Sequence, residues 1–185
     1  MKLESIKSKI QFKIFKNCKD YETNKILLIR NEAEIRNNMF TNKIISQEEH
    51  KKWLLKIKND SSIRNFVVYK SNDIIGFFGI SQLSILNSAF WSFYISKKFR
   101  KVGVGLALEF KALEYLFNKL ELKKVFCEVL LINESIIKLH KKFGFVPLDK
   151  EIRIFQRKKE NIEFIRLVLE KKKWIEAKKK IKKIF

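Results

Sequence analysis

A basic turn that contains two glycines carries the clearest chemical signal in this sequence. The turn consists of Arg100, Lys101, Val102, Gly103, Val104 and Gly105. Glycine lets a backbone turn tightly and approach a ligand without a Cβ in the way. The free N–H groups and the dipole at the start of the following helix favour phosphate oxygens, and Lys97 and Lys98 add positive charge nearby. The turn therefore predicts a site for a phosphate-bearing ligand.

Two other interpretations compete with this one. Many two-glycine turns only join a strand to a helix, but here an apolar strand, a basic turn and an amphipathic helix follow in the order that phosphate sites use. A dinucleotide-binding loop would need a third glycine three residues after Gly105 and a ribose-binding acid about 20 residues later. Position 108 is a leucine, which excludes that motif.

Glu128 is the second candidate, because it is a single acid among apolar neighbours. Such a residue either faces solvent on a strand or lies in a pocket, where burial would raise its pKa toward a value useful for a base. A third candidate segment runs from Asn133 through His140 to a helix end at Gly144. Spacing alone leaves the roles of these residues open.

Hydrophobic periodicity predicts the elements that must position these residues. The predicted order is a strand over 8–15, helices over 21–30, 34–40 and 46–58, strands over 65–70, 74–83 and 89–95, a helix over 104–119, a strand over 124–131, a helix over 135–143, and a hairpin of strands 151–157 and 162–169. Ser46 and Glu49 have the spacing of a capping box. The three consecutive strands predict an antiparallel meander.

The chain has the length of a single domain with a buried core, which we assign to residues 1–170, followed by a Lys-rich helical tail over 171–185. The apolar residues of the tail are Trp174, Ile175, Ile181, Ile184 and Phe185. A stripe this narrow favours packing on the domain or a frayed helix. Binding to an anionic membrane surface is the alternative.

The formal net charge of +21 raises the question of nucleic-acid binding. Only 7 of the 41 basic residues are Arg, and Lys, Ile and Asn are abundant, which is typical of an AT-rich genome. The basic residues are also spread along the chain. We therefore expect no specific nucleic-acid partner. The main functional effect that we expect of the positive charge is the attraction of anionic substrates. A nucleic-acid-binding protein, with steeply salt-dependent binding, is the alternative from another class.

The sequence contains no export, membrane or metal signal that we recognise. The first residues have no uncharged apolar stretch, and the longest apolar runs are far short of a membrane span. Cys18 and Cys127 are too few and too far apart for a disulfide framework or a zinc site. We expect a cytoplasmic protein with reduced thiols, no transmembrane segment and no metal.

The glycine turn resembles motif A of the GNAT superfamily, the acetyl-CoA-dependent N-acetyltransferases. It fits the pattern Arg/Gln-x-x-Gly-x-Gly/Ala without substitution, and the segment from Asn133 to Phe145 resembles motif B. The resemblance implies an α/β (α+β) fold with a mixed, largely antiparallel sheet and helices on both faces, and acetyl-CoA as cosubstrate. It implies that the cofactor is bound by the turn and by Phe93, Tyr94, Ile95, Asn133, Ile136 and Lys142.

The resemblance also implies a catalytic pair. In this family the acetyl thioester lies in a gap between two strands, which correspond here to 92–95 and 125–130. Glu128 would accept the proton of the ammonium nucleophile. The tyrosine that protonates the departing thiolate in the family is replaced by His140. That histidine either keeps the role with a changed pH dependence or packs beside coenzyme A.

The front half resembles a narrower group, the acetyltransferases of pseudaminic acid biosynthesis, in the segments Arg30-Asn31, Ile35-Arg36-x-x-Met39 and Ile45-Ser-x-Glu-Glu-His50-x-x-Trp53. The resemblance implies acetylation of the 4-amino group of UDP-4-amino-4,6-dideoxy-N-acetyl-β-L-altrosamine, on the route to the sugar that decorates flagellin. It implies substrate contacts from Arg30, His50, Ser81 and Gln82. Without it, Arg30 is a helix-end cation and His50 an exposed first-turn residue. Ribosomal-protein or polyamine acetylation is the alternative within the superfamily, and a homodimer is left open.

Overall fold

The computed structural model describes residues 3–84, 86–149, 152–157 and 160–183. The helices are α1 (Leu3–Lys9), α2 (Asp20–Arg30), α3 (Ala33–Arg36), α4 (Gln47–Lys58), α5 (Val104–Glu114), α6 (Glu134–Lys142) and α7 (Lys171–Lys182). The strands are β1 (Ile10–Ile14), β2 (Arg64–Lys70), β3 (Asp73–Ser84), β4 (Ser88–Ile95), β5 (Lys124–Leu130), β6 (Val146–Pro147), β7 (Arg153–Arg157) and β8 (Glu160–Glu170). Short 3-10 turns lie at Phe15–Asn17 and Lys97–Phe99, and a π-helical turn, Tyr115–Lys119, continues α5.

The strands form one sheet in the order β1-β2-β3-β4-β5-β8-β6, and β7 pairs with β8 beside β6. All of these pairs are antiparallel except β4 with β5, which is parallel. Strands β2, β3 and β4 make the predicted meander. The predicted α/β fold, with a mixed and largely antiparallel sheet, is confirmed.

Helices cover both faces of the sheet. The larger core lies between the sheet and helices α1, α5, α6 and α7. The smaller core lies under α2, α3 and α4 and contains Ile26, Ile29, Ile35, Val67 and Phe77. At the start of α4, the predicted capping box is present, because the Glu49 N–H donates to Ser46 Oγ and the Ser46 N–H donates to the Glu49 carboxylate. The cap places α4 over the face that carries the smaller core.

Three elements differ from the predicted pattern. Residues 3–9 form α1, which packs on α5 through buried Ile6, so β1 begins at Ile10 and not at position 8. Helix α3 ends at Arg36 and not at position 40. Strand β6 has two residues, too few to give an alternating pattern. Position 151, where the last hairpin was predicted to begin, lies outside the described residues.

A buried glutamate ties α2 to the sheet. Glu22 is fully buried, and its carboxylate accepts hydrogen bonds from Lys13 Nζ at 2.8 Å, from the Lys19 N–H at 2.7 Å and from the Tyr69 hydroxyl. Burial by itself raises the pKa of this carboxyl, but these donors outweigh it and hold the pKa at about 2. Glu22 is therefore a structural carboxylate that stays ionised over the ordinary pH range.

The tail helix α7 contributes to the larger core. Trp174 is 1% exposed, and its ring centroid lies 5.3 Å from that of Phe110 and 6.0 Å from that of Phe143. Ile181 is also buried, whereas Ile175 is half-exposed. Packing of the tail is thus confirmed for Trp174 and Ile181, while Ile184 and Phe185 lie outside the described residues. Across the described ranges, no helix is both long and apolar enough to cross a membrane.

Candidate active site

Strands β4 and β5 separate partway along their length. They pair at only three register positions, Ser88 with Lys124, Ala89 with Val125, and Phe90 with Phe126. Beyond these positions a cavity of about 280 Å³ opens between the strands. Its lining includes most of the sequence-predicted residues, namely Phe93, Tyr94, Ile95, Arg100, Lys101, Gly105, Glu128, Asn133, Ile136 and His140. The gap that the resemblance implied is therefore present in the fold.

The glycine turn closes one end of this cavity. Gly103 has φ +86° and ψ −16°, a left-handed conformation that favours glycine, and it caps the start of α5. Arg100 Nε donates to the Ile95 carbonyl at 2.9 Å, which holds the turn against the end of β4. The helix N-terminus and the basic side chains thus face the same space.

Three predicted cofactor residues have side chains away from the cavity. Val102 is 98% exposed, and Val104 is buried in the larger core. Lys142 lies on the exposed last turn of α6. The cavity lining contains none of the three. Val102 and Val104 are part of the glycine turn and can contact a ligand there only through their backbone atoms. Lys142 does not line the cavity, so the lining gives its predicted role no support.

The front half of the chain is tied directly to the turn. Glu32, between α2 and α3, accepts a hydrogen bond from Ser96 Oγ at 2.6 Å and another from the Lys97 N–H at 2.8 Å. Lys97 Nζ also pairs with Glu34. Lys97, one of the cations expected to attract phosphate, is therefore engaged in holding α3 against the turn.

Glu128 is held by an arginine from the neighbouring strand. Arg166 on β8 donates to Glu128 Oε1 from Nε at 2.9 Å and from Nη2 at 2.5 Å, and its guanidinium lies 5.2 Å from the Phe90 ring centroid. Glu128 Oε2 has no hydrogen-bond partner among the described residues. Glu128 lies in the cavity, as predicted, but in an ion pair and not in an apolar pocket. Its second oxygen is the one available to an acceptor amine or a water molecule.

His140, on α6, lines the same cavity. It is 3% exposed, its Nδ1 lies 2.7 Å from Glu109 Oε1, and it packs against the rings of Trp91, Phe93 and Phe145. Burial by itself lowers the pKa of His140, but the Glu109 carboxylate and, after it, Cys127 outweigh burial and raise the pKa to about 10. A histidine in this setting does not lose its proton near neutral pH, which differs from the expectation for an ordinary imidazole.

A second cavity of about 400 Å³ adjoins the first and shares Met39, Ser92 and Tyr94 with it. Arg30 and His50 both line this second cavity. The structure therefore brings the two predicted substrate residues of the front half together, beside the gap.

His50 is buried, so its interpretation as an exposed first-turn residue is wrong. Its Nε2–H donates to the Thr23 carbonyl at 3.0 Å, and its ring stacks on Trp53. Burial lowers the pKa of His50, so the ring is neutral near pH 7. It can present Nδ1 or its ring to a ligand, but it does not supply positive charge to a diphosphate.

Positive charge in this region comes instead from three arginines that surround residues 39–42. Arg30 donates to the Thr41 carbonyl at 2.9 Å, Arg36 to the Asn42 carbonyl at 2.6 Å, and Arg157 to the Met39 carbonyl at 3.3 Å. Arg30 Nη1 and Arg157 Nε are buried and have no hydrogen-bond partner among the described residues. Because Arg30 lines the second cavity, an anionic group bound there would satisfy its donor.

Ser81 and Gln82 are not brought to either cavity. Ser81 pairs with Phe90, two positions before Ser92 on β4, and the pairing of β3 with β4 becomes irregular between Ser81 and Ser84. Gln82 there has a positive φ of 52°. Their predicted contact with the substrate beside Arg30 and His50 therefore has no support from the lining of either cavity.

Sequence reasoning missed several residues of the site: Glu109, Cys127, Arg157 and Arg166. A signal was present for Glu109, because an acid between Leu108 and Phe110 falls within an otherwise apolar helix segment. Arg157 and Arg166 carry no such signal, since their partners lie far away along the chain. Within the described ranges, no group of three or more His, Cys, Asp or Glu residues is arranged to hold a metal ion.

Fold and site together define a class. The sequence model for the "Acetyltransferase (GNAT) family" matches residues 30–145, so the chain belongs to the GNAT family. It is an acetyl-CoA-dependent N-acetyltransferase. Among curated proteins, it is 28% identical to "Acetyltransferase PseH" of Campylobacter jejuni over 142 residues, which cover 77% of this chain and 88% of that protein.

Solved structures show the same fold. Spermidine N-acetyltransferase from Vibrio cholerae in complex with CoA and spermine superposes with a TM-score of 0.81 at 22% identity, covering 91% of this chain and 99% of the other. Campylobacter jejuni PseH superposes with a TM-score of 0.65 at 23% identity, covering 88% and 99%. PseH in complex with acetyl coenzyme A gives a TM-score of 0.64. At these identities the superpositions establish the fold and not the acceptor.

Proposed function

We propose that this enzyme transfers the acetyl group of acetyl-CoA to the 4-amino group of a UDP-linked amino sugar, UDP-4-amino-4,6-dideoxy-N-acetyl-β-L-altrosamine. This reaction belongs to pseudaminic acid biosynthesis, which supplies the sugar for flagellin glycosylation. The observation that carries the proposal is the 28% identity to PseH over 77% of the chain. The sequence resemblance of residues 30–53 to the same group supports it.

The two adjoining cavities suit the two substrates. The acetyl thioester would lie in the gap between β4 and β5. The diphosphate of coenzyme A would lie at the glycine turn, where Gly103 caps the start of α5. The nucleotide sugar would occupy the second cavity, with its diphosphate near the unpartnered Nη1 of Arg30. Met39, Ser92 and Tyr94 line both cavities, so an acceptor amine there lies beside the thioester.

Two side chains would manage the protons. Glu128 Oε2 accepts the proton of the acceptor ammonium, directly or through one water, so that the amine can attack the thioester carbonyl. The carbon–sulfur bond then breaks with its electron pair on sulfur, and His140 donates a proton to that thiolate. Both groups line the cavity in which the thioester would lie.

Electrostatics favour this acceptor over a polyamine. A UDP-sugar carries a negatively charged diphosphate, whereas spermidine is a polycation. The protein has a formal net charge of +21, so its long-range field attracts the first and repels the second. The high TM-score to spermidine N-acetyltransferase reflects a shared fold. It is not an argument for a polyamine acceptor.

A comparison of acceptors tests the proposal. The purified enzyme is supplied with acetyl-CoA and, in separate reactions, the UDP-4-amino sugar, spermidine, or an N-terminal ribosomal-protein peptide, and thiol release is followed together with product mass. We expect the largest kcat/KM for the nucleotide sugar. A larger value for spermidine or for the peptide would overturn the proposal.

The role of Arg30 is tested in the same assay. Arg30→Gln removes charge-assisted hydrogen bonds worth about 1.5–3 kcal/mol, so KM for the nucleotide sugar should rise by about 10- to 100-fold. KM for acetyl-CoA should not change. Arg64→Gln is the matched control, because Arg64 lines neither cavity. Equal effects of the two substitutions would contradict a specific contact from Arg30.

A further inference from the structure

The gap between β4 and β5 has a buried ion pair beneath it. Glu109 on α5 is fully buried, and His140 on α6 is almost so. Glu109 Oε1 lies 2.7 Å from His140 Nδ1, while Glu109 Oε2 is buried with no hydrogen-bond partner among the described residues. A charged carboxyl buried among apolar residues is costly unless it is paired. The pair is thus a feature that the fold maintains at a cost in stability.

The contact with Glu109 determines which nitrogen of His140 faces the cavity. Nδ1 is engaged by the carboxyl, so Nε2 is the nitrogen that the carboxyl leaves free; His140 and Cys127, which interacts with it, both line the cavity. One proton is shared between Nδ1 and Oε1. When the pair holds two protons, Nε2 carries a hydrogen whether the shared proton is on Nδ1 or on Oε1; when it holds one proton on Nδ1, Nε2 is bare. The pair therefore presents an N–H donor to the cavity in its doubly protonated state, which the Glu109 carboxylate favours by raising the pKa of His140.

We propose that Glu109 is the positioning residue that allows His140 to act as the acid of the reaction, by holding Nδ1 against its buried carboxyl so that Nε2 of the doubly protonated ring is directed toward the thioester. The proposal rests on the acid role of His140 in the proposed function. As the carbon–sulfur bond breaks, the electron pair goes to sulfur and the Nε2 proton follows it. Nδ1 keeps its proton against Glu109, and Nε2 is reprotonated from water after coenzyme A leaves.

The surroundings of His140 support this assignment. The titratable groups against it are Glu109 from α5 and Cys127 from β5, and both raise its pKa. The neighbours from β4 and from the segment after α6 are the uncharged rings of Trp91, Phe93 and Phe145. A pKa of about 10 equals that of an ordinary tyrosine. The Glu109–His140 contact thus favours the protonated imidazole, the form that can donate a proton.

The protonation state is measurable without any substrate. The chain contains two histidines, His50 and His140, so NMR titration of isotope-labelled imidazoles gives two curves, assigned with His50→Gln. We expect one histidine to titrate below pH 6.5 and His140 to titrate near pH 10. In Glu109→Gln the upper curve should move to 6.5 or below, because burial is no longer opposed by a carboxylate. A wild-type His140 that titrates at or below pH 6.5 would overturn the proposal. Because this measurement uses the wild-type protein, it does not depend on whether a Glu109 variant folds.

The pH profile of turnover distinguishes positioning from a merely structural role. With an acid of pKa about 6.5, Glu109→Gln should be within about twofold of wild type at pH 6 and about 100-fold slower at pH 8.5. Glu114→Gln, on the same helix and paired with Lys7 and Lys178 at the surface, should follow the wild-type profile. The double variant Glu109→Gln/His140→Tyr should recover alkaline activity, because a phenol needs no carboxylate to remain protonated there.

Two results would overturn the proposal while leaving the proposed acceptor intact. A Glu109→Gln rate that is lowered equally at every pH would show that the carboxyl only supports the fold. An unchanged profile would show that His140 is not the acid. Conversely, if the UDP-sugar is not acetylated but another amine is, the same profiles are measured with that amine.

Discussion

Replacing Gly103 with valine should abolish the thermal stabilisation that acetyl-CoA gives the native protein. Gly103 has φ +86° at the start of α5, where a β-branched residue is strained by roughly 1–3 kcal/mol. A kilocalorie shifts the Tm of a domain of this size by about 2–4 °C. The Tm without ligand should therefore fall by about 2–12 °C while the fold persists.

The loss of ligand response is the decisive quantity. Acetyl-CoA at 100 times its Kd stabilises the native state by about 2.7 kcal/mol, which corresponds to a Tm increase of about 5–11 °C. Valine at position 103 relieves part of this strain by leaving the left-handed conformation, and the backbone N–H groups of the turn then no longer point to the diphosphate. The increase should therefore disappear, as measured by differential scanning fluorimetry with and without acetyl-CoA.

Gly105→Ala is the matched control. A Cβ at Gly105 would lie 3.5 Å from Leu139 Cδ2, an ordinary contact, and alanine is about 0.8–1 kcal/mol better than glycine inside a helix. This variant should melt about 2–4 °C higher without ligand and keep its response, since the superfamily pattern accepts alanine there. A full acetyl-CoA shift in Gly103→Val would refute the reasoning, because the diphosphate would then lie elsewhere.

Three further outcomes are expected. Glu128→Gln should lower kcat by about 10²–10⁴-fold with acetyl-CoA binding retained; wild-type turnover, under conditions where chemistry limits the rate, would exclude Glu128 as the base. Glu22→Gln should lower the Tm at pH 7. Glu22 has a folded pKa of about 2, below its unfolded value of about 4.3. The wild type should therefore have its full excess of stability over the variant above about pH 4.3 and lose it as the pH falls toward 2. Thermal melts from pH 7 to pH 2 measure that difference, which should not be constant. Trp174→Ala should cost about 3–5 kcal/mol in denaturant unfolding, whereas Ile175→Ala, at a half-exposed site, should cost far less; similar losses would mean that α7 is not part of the core.

Local interactions account for the parts of the fold that the sequence predicted well. The capping box of Ser46 and Glu49, the periodicity of α2 and the meander of β2 to β4 each depend on residues a few positions apart. The same holds for the glycine turn, whose positive φ is set by Gly103 itself. The failures have two different causes. Strand β6 is too short to show a period, and α1 is stabilised by its packing on α5, which is distant in sequence.

The sequence by itself therefore determined the order of most of the elements, the glycine turn before α5 and the position of Glu128 on β5. Only the tertiary structure decided which partners that carboxylate and His140 have and how deeply each is buried. Arg166 reaches Glu128 from 38 residues away, and Glu109 reaches His140 from 31 residues away. Burial and charge at such distances along the chain depend on how the strands and helices pack, and not on any local pattern. For that reason the pKa of His140, which the sequence alone would set at the value of an ordinary imidazole, is raised in the folded protein by the buried Glu109 carboxylate.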